Sequence, residues 1–479
     1  MNKVIYYFVI KAVSPLYFST EQDGQERKLI RNSEGRAGIP GSSIGGALRE
    51  YLKQTELSEE TIWKYMGGSK PGEDGREEFI TSGIYISDGK IAEESVYCRK
   101  EGTAINPTYG TAERHQKYSL EYLPEGTEIF FQIEGDIRDD KGQDSTRQEQ
   151  ELCADELEKI VCTWAQGFEA QTLLLGGQKS NGFGRFRLKK LEKTVFVLNN
   201  SKSLDDYIFC RKDQKETVCW RNLDFYRLAN RSTIVFSMTG EFPYGVYQAF
   251  PIKKSSNTGE DFPDKRQLTG LQKKGDDFFI PSTSLKGLVK NEIRLLLKRI
   301  TGEECVSEKL NELFGGENGP GKLTFFDLLI KDSQPVYVER YVKHGQREWR
   351  NEKSGPVYIK IDRLTGNAYA SALKQQQEIQ GNAEICFELS ADQSGDDLEP
   401  YLFPLVYVLR RIGAGIVPLG GRTVIGLGQF FAQKLKITID DKAYIVETGD
   451  ELQEDINLLE EWFESFKKGW CKDEKTSDL

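Results

Sequence analysis

The feature that most constrains this chain is that it repeats itself, because a duplicated pattern fixes the architecture before any single motif is read. Four landmarks recur in the same order. IPGSSIGGALREYL begins at Ile39, and IPSTSLKGLVKNEI begins 241 residues later at Ile280. YMGG ends at Gly68 and LFGG at Gly316, 248 residues on. INPTYGTA starts at Ile105 and IDRLTGNA at Ile361, 256 residues on. LLLGGQKSNGFGRF is answered by PLGGRTVIGLGQF, with Gly182 and Gly426 separated by 244. A drift of about 15 residues in the offset is ordinary loop variation. Four matches in register mean a tandem duplication.

Each copy follows the same order of elements. An alternating strand comes first, Val4–Val13 or Thr233–Thr239, then a long loop rich in Gly, Asp, Lys and Arg. A Pro-Ser/Gly-Ser turn leads into a helix, further strands follow (Glu128–Ile133, Glu384–Leu389), and a second helix runs into a glycine loop and a last strand. In copy two Leu285, Val289, Ile293, Leu296 and Ile300 make one apolar helical face. Strands and helices mixed in this way predict α+β domains of the ferredoxin-like (RRM-like) kind. The expected boundaries are 1–195 and 226–440, with a connector at 196–225 and an acidic, partly helical extension at 441–479. In that extension Leu452, Ile456, Leu459 and Trp462–Phe463 fall near helical spacing, as a packing surface would.

Composition narrows the function. Eight cysteines lack CxxC pairing and there are two histidines, His115 and His344, which excludes Cys-His zinc spacing and points to reduced thiols. No stretch approaches the roughly 18 apolar residues that span a bilayer. The start MNKVIYYFVIKAVS reads as a strand without a small-residue cleavage site, so cytoplasmic residence is expected. The net charge of −10 predicts weak nucleic-acid binding by the isolated chain. Its distribution is uneven: Gly176–Lys193 holds six basic residues and one acid, and Lys286–Arg299 holds five and one. Acids crowd Glu134–Glu156 and the tail from Asp450 to Glu464. An acidic shell with basic islands suits a subunit that grips a polyanion on one face.

Four recurring pieces carry chemistry. The glycine loops bring backbone amides near a ligand where a Cβ would obstruct it, with Lys179, Arg185, Arg422 and Thr423 beside them; such nests suit phosphates, and a tight helix–strand turn is the plain alternative. Ser42, Ser43, Ser282 and Ser284 stand at helix starts, where capping leaves amides for an anion; Arg49, Lys286 and Lys290 lie further along those helices, and Lys286, Lys290, Arg294 and Lys298 recur every four residues. Asp23 and Glu26 in copy one, and Asp261 and Asp264 in copy two, lie in the loop after the first strand, where a carboxylate would position a 2′-hydroxyl or hold a divalent cation; solvated loop acids look the same. Tyr341, His344, Trp349 and Tyr358 interleave with Arg340, Lys343, Arg347 and Arg350, and Tyr109, His115 and Tyr118 occupy the comparable region of copy one, a mixture that suits base stacking or hairpin packing.

Together these segments resemble the RAMP superfamily of CRISPR systems, specifically the repeated backbone subunit of type III effector complexes. The resemblance runs from Val4 to about Lys436, once per half, with the pairing of two domains on one chain similar to the fused arrangements of type III-D-like systems. It implies a ferredoxin-like core per half with inserted thumb hairpins near 102–127 and 358–383, guide RNA along a basic face, and partners comprising target RNA, other RAMP subunits and a large polymerase-like subunit. It also implies target-RNA cutting with Mg²⁺ or another divalent cation by an acid in the loop after the first strand. Asp264 or Asp261, and Asp23 or Glu26, are the nearest positions. Copy two is closer to the family pattern because it has Ser-Leu-Lys286-Gly where copy one has Ser-Ile-Gly45-Gly, and it is the expected cutter. The alternatives are a non-cutting guide-RNA scaffold or end cap, and a guide-precursor-processing endoribonuclease for which His115 and His344 are the histidine candidates.

Overall fold

The computed structural model describes residues 2–19, 26–71, 77–91, 97–105, 112–137, 152–209, 215–228, 232–251, 269–300, 306–316, 319–344, 348–369, 374–391, 397–439, 442–448 and 456–470. The chain divides into two compact units, Met1–Asn230 and Arg231–Leu479.

In the first unit the alternation VIYYFVI makes the central strand β1 (Asn2–Ala12), which buries Val4, Tyr6, Phe8 and Ile10 against the helices. Helix α1 (Gly41–Leu52) follows, then short strands β2 (Ile84–Ile86) and β3 (Gly89–Ile91), strand β4 (Glu128–Ile137), helix α2 (Ala154–Glu169) and strand β5 (Phe186–Val197). β1 lies between β5 and β4, and β2 and β3 pair on the far side of β4; all these pairings are antiparallel. Helices α1 and α2 cover one face, and the buried Trp164 of α2 donates its indole N–H to the Leu48 carbonyl of α1 at 3.2 Å. Burying an indole requires such a partner.

The second unit repeats the order. Strand β6 (Thr233–Val246), helix α3 (Ser282–Ile300), strands β7 (Leu323–Phe325), β8 (Leu328–Pro335) and β9 (Ile379–Ser390), helix α4 (Leu402–Gly413) and strand β10 (Lys434–Ile439) follow in turn. β6 lies between β10 and β9, with β7 and β8 beyond β9, again antiparallel. The repetition reaches single side chains. Phe8 faces Phe131 across β1 and β4, and Phe236 faces Phe387 across β6 and β9; both pairs stack with centroids 4.9 Å apart. On α3, Leu285, Val289, Ile293 and Leu296 are buried and Ile300 packs partly against the same core.

Two segments outside the repeats are integral to their units. Residues 196–225, expected as a connector between the halves, belong to the first unit. There β5 runs to Val197, a helix at Ser201–Ile208 packs on it, Glu216–Thr217 pairs with Glu192 and Lys193, and Val218 and Trp220 enter the first core. At the C-terminal end, strand β11 (Lys442–Glu447) pairs with β10, and helix α5 (Ile456–Trp470) buries Leu459, Trp462, Phe466 and Trp470. The 3-4-4 spacing of those four residues is one helical face. Burying each contributes about 1.5–3 kcal/mol, which explains why an acidic helix stays on the domain.

The hairpins are inserted among the sheet strands. Cys98–Ile105 pairs with Ala112–Tyr122, and Glu26–Arg27 adds parallel to Ser119–Leu120. In the second unit the long hairpin is Val338–His344 with Glu348–Ser354, upstream of the expected 358–383, which holds instead Val357–Tyr358 paired with Lys374–Gln375 and the start of β9. Of the basic–aromatic mixture, Arg340, Tyr341, Lys343 and His344 fall on the first of these strands, and Trp349 and Arg350 on the second.

Candidate nucleic-acid interface

The two glycine loops match position by position, 244 residues apart. Gln178 and Arg422 both sit in the left-handed region, at φ 61° and 57°, and each starts a one-turn 3₁₀ helix, Lys179–Asn181 or Thr423–Ile425. Gly177 donates to the Tyr17 carbonyl at 2.8 Å and Gly421 to that of Tyr247 at 2.6 Å; Gly184 donates to Pro15 and Gly428 to Gly245, both at 2.9 Å. The glycines are needed for contacts within the chain. A Cβ on Gly176 or Gly420 would lie 2.5 or 2.7 Å from the Tyr17 or Tyr247 oxygen, and one on Gly184 or Gly428 would run into the Leu175 or Leu419 carbonyl. At these positions the glycines answer to close approach of the chain's own backbone, from the segment after the first strand and from the start of the loop itself. The register also aligns Arg422 with Gln178 and Thr423 with Lys179, so the basic residues of the two loops are not equivalents.

Arg422 is held from below. Its guanidinium lies 4.3 Å over the Tyr358 ring and donates to the side-chain oxygen of the buried Gln376 from Nε at 2.7 Å and Nη2 at 3.0 Å. The Tyr247 hydroxyl reaches the same oxygen at 3.3 Å and pairs with Thr269 Oγ1 at 2.8 Å, while Tyr358 donates to the buried Glu378 at 2.6 Å. Burial and that carboxylate push the Tyr358 phenol up to about 12. Arg422 therefore ties the glycine loop to the base of the inserted hairpin. In the first unit the Gln178 side-chain oxygen accepts from Asn181 Nδ2 at 2.5 Å.

The helix starts also differ from expectation. Pro40 caps α1 without a side-chain bond, so neither Ser42 nor Ser43 closes the helix; both stand exposed. The first amide is met by a carboxylate from the β2–β3 turn: Gly41 N donates to Asp88 Oδ1 at 2.7 Å. Unit two repeats the device, with Ser282 N donating to Asp327 Oδ1 at 2.8 Å from the turn between β7 and β8. A carboxylate at a helix N-terminus gains from both the orphan amide and the dipole. Asp327→Ala is expected to lower the stability of the chain by about 1–2 kcal/mol in urea denaturation, and Asp88→Ala similarly; changes of a few tenths would contradict a capping role. Arg49 is committed as well, donating to the Met66 and Gly67 carbonyls at 2.5 and 2.6 Å at the end of the Glu59–Met66 helix.

In the second unit Ser284 is exposed at the first turn of α3 and accepts from Gln248 Nε2 at 3.2 Å. Burial pushes the Lys286 ammonium down to about 8, with the charge of Lys290 adding to the effect, and burial lowers Lys290 too. Lys290 also lies 5.9 Å from the centre of the Phe314 ring. At the places of Lys286 and Gln248 the first unit has Gly45 and the buried Phe18, and at that of Lys290 it has Arg49, whose guanidinium is engaged by the Met66 and Gly67 carbonyls. Its own candidates are Lys179, exposed on the 3₁₀ turn, and Arg185, whose backbone N–H is held by Ser14 Oγ at 2.9 Å.

Of the acids, Glu26 is described: its carboxylate accepts from Arg99 at 2.7 Å and faces Lys28 at 3.2 Å, and these cations hold it below its usual range. A carboxylate so paired is a poor base. Asp23, Asp261 and Asp264 lie outside the described residues. So do Tyr109, Arg347 and the side chains of His115 and of residues 339–354; Tyr118, which is described, lies under the Arg27 guanidinium at 4.8 Å. Among the described residues no group of three or more His, Cys, Asp or Glu is placed to hold a metal ion. No helix among them is long and apolar enough to cross a membrane.

No curated protein matches the chain closely enough to count as a relative. The family model for the RAMP superfamily matches it twice, over residues 9–187 and 265–431. The first match spans β1 through the start of β5, and the second α3 through the second glycine loop, so each match covers the helix start and the glycine loop of one unit. Together the matches take in well over half of the chain, which is a mixed α+β protein of the RAMP superfamily, carrying that family's domain twice in tandem.

Proposed function

We propose that this chain is a fused backbone subunit of a type III CRISPR effector complex, with two ferredoxin-like domains that hold guide RNA and a second domain that cuts complementary target RNA with a divalent cation. RAMP proteins typically bind RNA and partner subunits. The observation that carries the reading is the paired family match over two units whose strand order, loop hydrogen bonds and helix caps repeat. Two neighbours on one chain replace a bimolecular assembly step by an intramolecular one.

The units divide the work. The first holds Glu26 in an ion pair and has Gly45 in place of a lysine, which favours RNA holding without cutting. The second carries Lys286 and Lys290 on the helix that follows the Asp261–Asp264 loop, and lysine ammoniums suit phosphates. The other RAMP subunits and a large polymerase-like subunit complete the assembly in this reading. The test is target cleavage by the purified complex in Mg²⁺; a complex that binds complementary RNA without cutting it would leave the scaffold function alone.

Lys286 gives a pH signature. A phosphate contact needs the ammonium, and the free protein loses it as pH rises through about 8. Binding of single-stranded RNA at low salt is expected to weaken by up to about tenfold from roughly pH 7 to pH 9, and Lys286→Met to flatten that dependence. Identical pH profiles for the two proteins would rule out the contact. Stability moves the other way: the folded pKa lies below the ordinary 10.5, the unfolded chain binds more protons in between, and so the cost of burying Lys286 eases as pH climbs through that window.

A further inference from the structure

We infer that Gln248 and Ser284 form a subsite in the second unit that reads a ribose 2′-hydroxyl, making this unit selective for RNA over DNA; the inference rests on the RNA-binding reading above. Gln248 is buried, with 8% of its surface exposed, and its Nε2 donates to Ser284 Oγ at the first turn of α3. Its side-chain oxygen is buried too, yet accepts no hydrogen bond from the described residues. Leaving such an acceptor unmet costs about 1–3 kcal/mol, so buried amides are ordinarily satisfied. The neighbouring Gln376 shows the ordinary outcome, its oxygen meeting Arg422 and Tyr247.

The chemistry of the missing partner follows from the atom left unmet. An amide oxygen needs a donor. A phosphate oxygen has none to give and a deoxyribose lacks one at this place, whereas a 2′-hydroxyl donates to Gln248 while accepting from a neighbouring hydroxyl such as Ser284. Ser284 stands in the first turn of the 19-residue helix α3, two residues before Lys286, so the sugar would be read beside a cation that suits its phosphate. The first unit has no such reader. Phe18 stands where Gln248 does, one residue after the tyrosine whose carbonyl the glycine loop grips, and Ser43 stands where Ser284 does.

The experiment measures binding of the purified full chain to a labelled single-stranded RNA, to the DNA of the same sequence and to the 2′-O-methyl RNA, by fluorescence anisotropy. The wild type is expected to bind RNA about 5–10-fold more tightly than either of the others, the loss of one buried hydrogen bond. Gln248→Met keeps the volume and removes the acceptor; it is expected to bring RNA down to the DNA value and leave DNA binding unchanged. Ser284→Ala, at an exposed position, is expected to narrow the preference by about 2–3-fold and guards against a Gln248 variant that fails to fold. Equal loss of RNA and DNA binding, or an undiminished preference in both variants, would overturn the subsite while leaving RNA binding in place. Binding of no RNA at all by the wild type would overturn the subsite and the RNA-binding reading together.

Discussion

Asp264→Ala is expected to lower cleavage of complementary RNA by about 10²–10⁴-fold, with guide and target binding within about twofold of wild type. The size follows from the proposed chemistry. A carboxylate that positions a 2′-hydroxyl, or the ion that polarises the scissile phosphate, acts on the transition state and contributes little to ground-state binding. Asp261→Ala is the companion, since the two acids are three residues apart in one loop. Glu26→Ala is the contrast. Its charge is already engaged by Arg99 and Lys28, so its removal is expected to loosen the short Glu26–Arg27 strand and leave cutting unchanged. Cutting that persisted in the Asp261/Asp264 double variant would remove the proposed catalytic loop.

The second large effect is structural. Gly428→Ala places a Cβ against the Leu419 carbonyl at a backbone φ of +83°. The left-handed conformation costs an ordinary residue roughly 1–2 kcal/mol, and the clash with a buried backbone adds about 1–3 more. A loss of about 3–4 kcal/mol is expected, lowering the melting temperature of the unit by roughly 10 °C. Gly426→Ala, two residues earlier, carries the conformational cost alone, since nothing lies within 4 Å of its Cβ at φ +92°, and is expected to lose about 1–2 kcal/mol. Equal destabilisation by the two would show that the clasp on Leu419 is not what requires Gly428. The first unit offers a replicate at Gly184, which meets Leu175 in the same way.

The repeat was legible because it is written in local signals. Pro-Gly-Ser and Pro-Ser-Thr mark helix starts at Gly41 and Ser282, and the glycine loops mark left-handed turns, each set by a few adjacent residues. Long-range partners were not legible. Asp88 caps α1 from 47 residues away and Asp327 caps α3 from 45, distances over which spacing carries no information. A faint sign existed: the two aspartates are 239 residues apart, close to the offset of the helices they cap. Serines at a helix start invite a local capping reading that the β2–β3 turn overrides. Arg49 and Arg422 count as basic residues near a ligand for the same reason, and the pair of carbonyls and the buried glutamine that folding brings close to them could not be read from spacing. The connector failed differently. Val218 and Trp220 lack periodic neighbours, and their burial follows from the short strand Glu216–Thr217 docking on β5. Gln248 was invisible because its neighbours in sequence, Tyr247 and Ala249, lie in an unremarkable apolar stretch; only Ser284, 36 residues on, gives it meaning.

The central claim is that both units hold RNA, and the most direct test is ultraviolet cross-linking of RNA bound to the purified complex, with the cross-linked peptides mapped. Cross-links are expected from both units, in the glycine-loop peptide around Lys179–Arg185 and in the helix-start peptide around Ser284–Lys290. Cross-links confined to one unit, or to neither of these peptides, would contradict it.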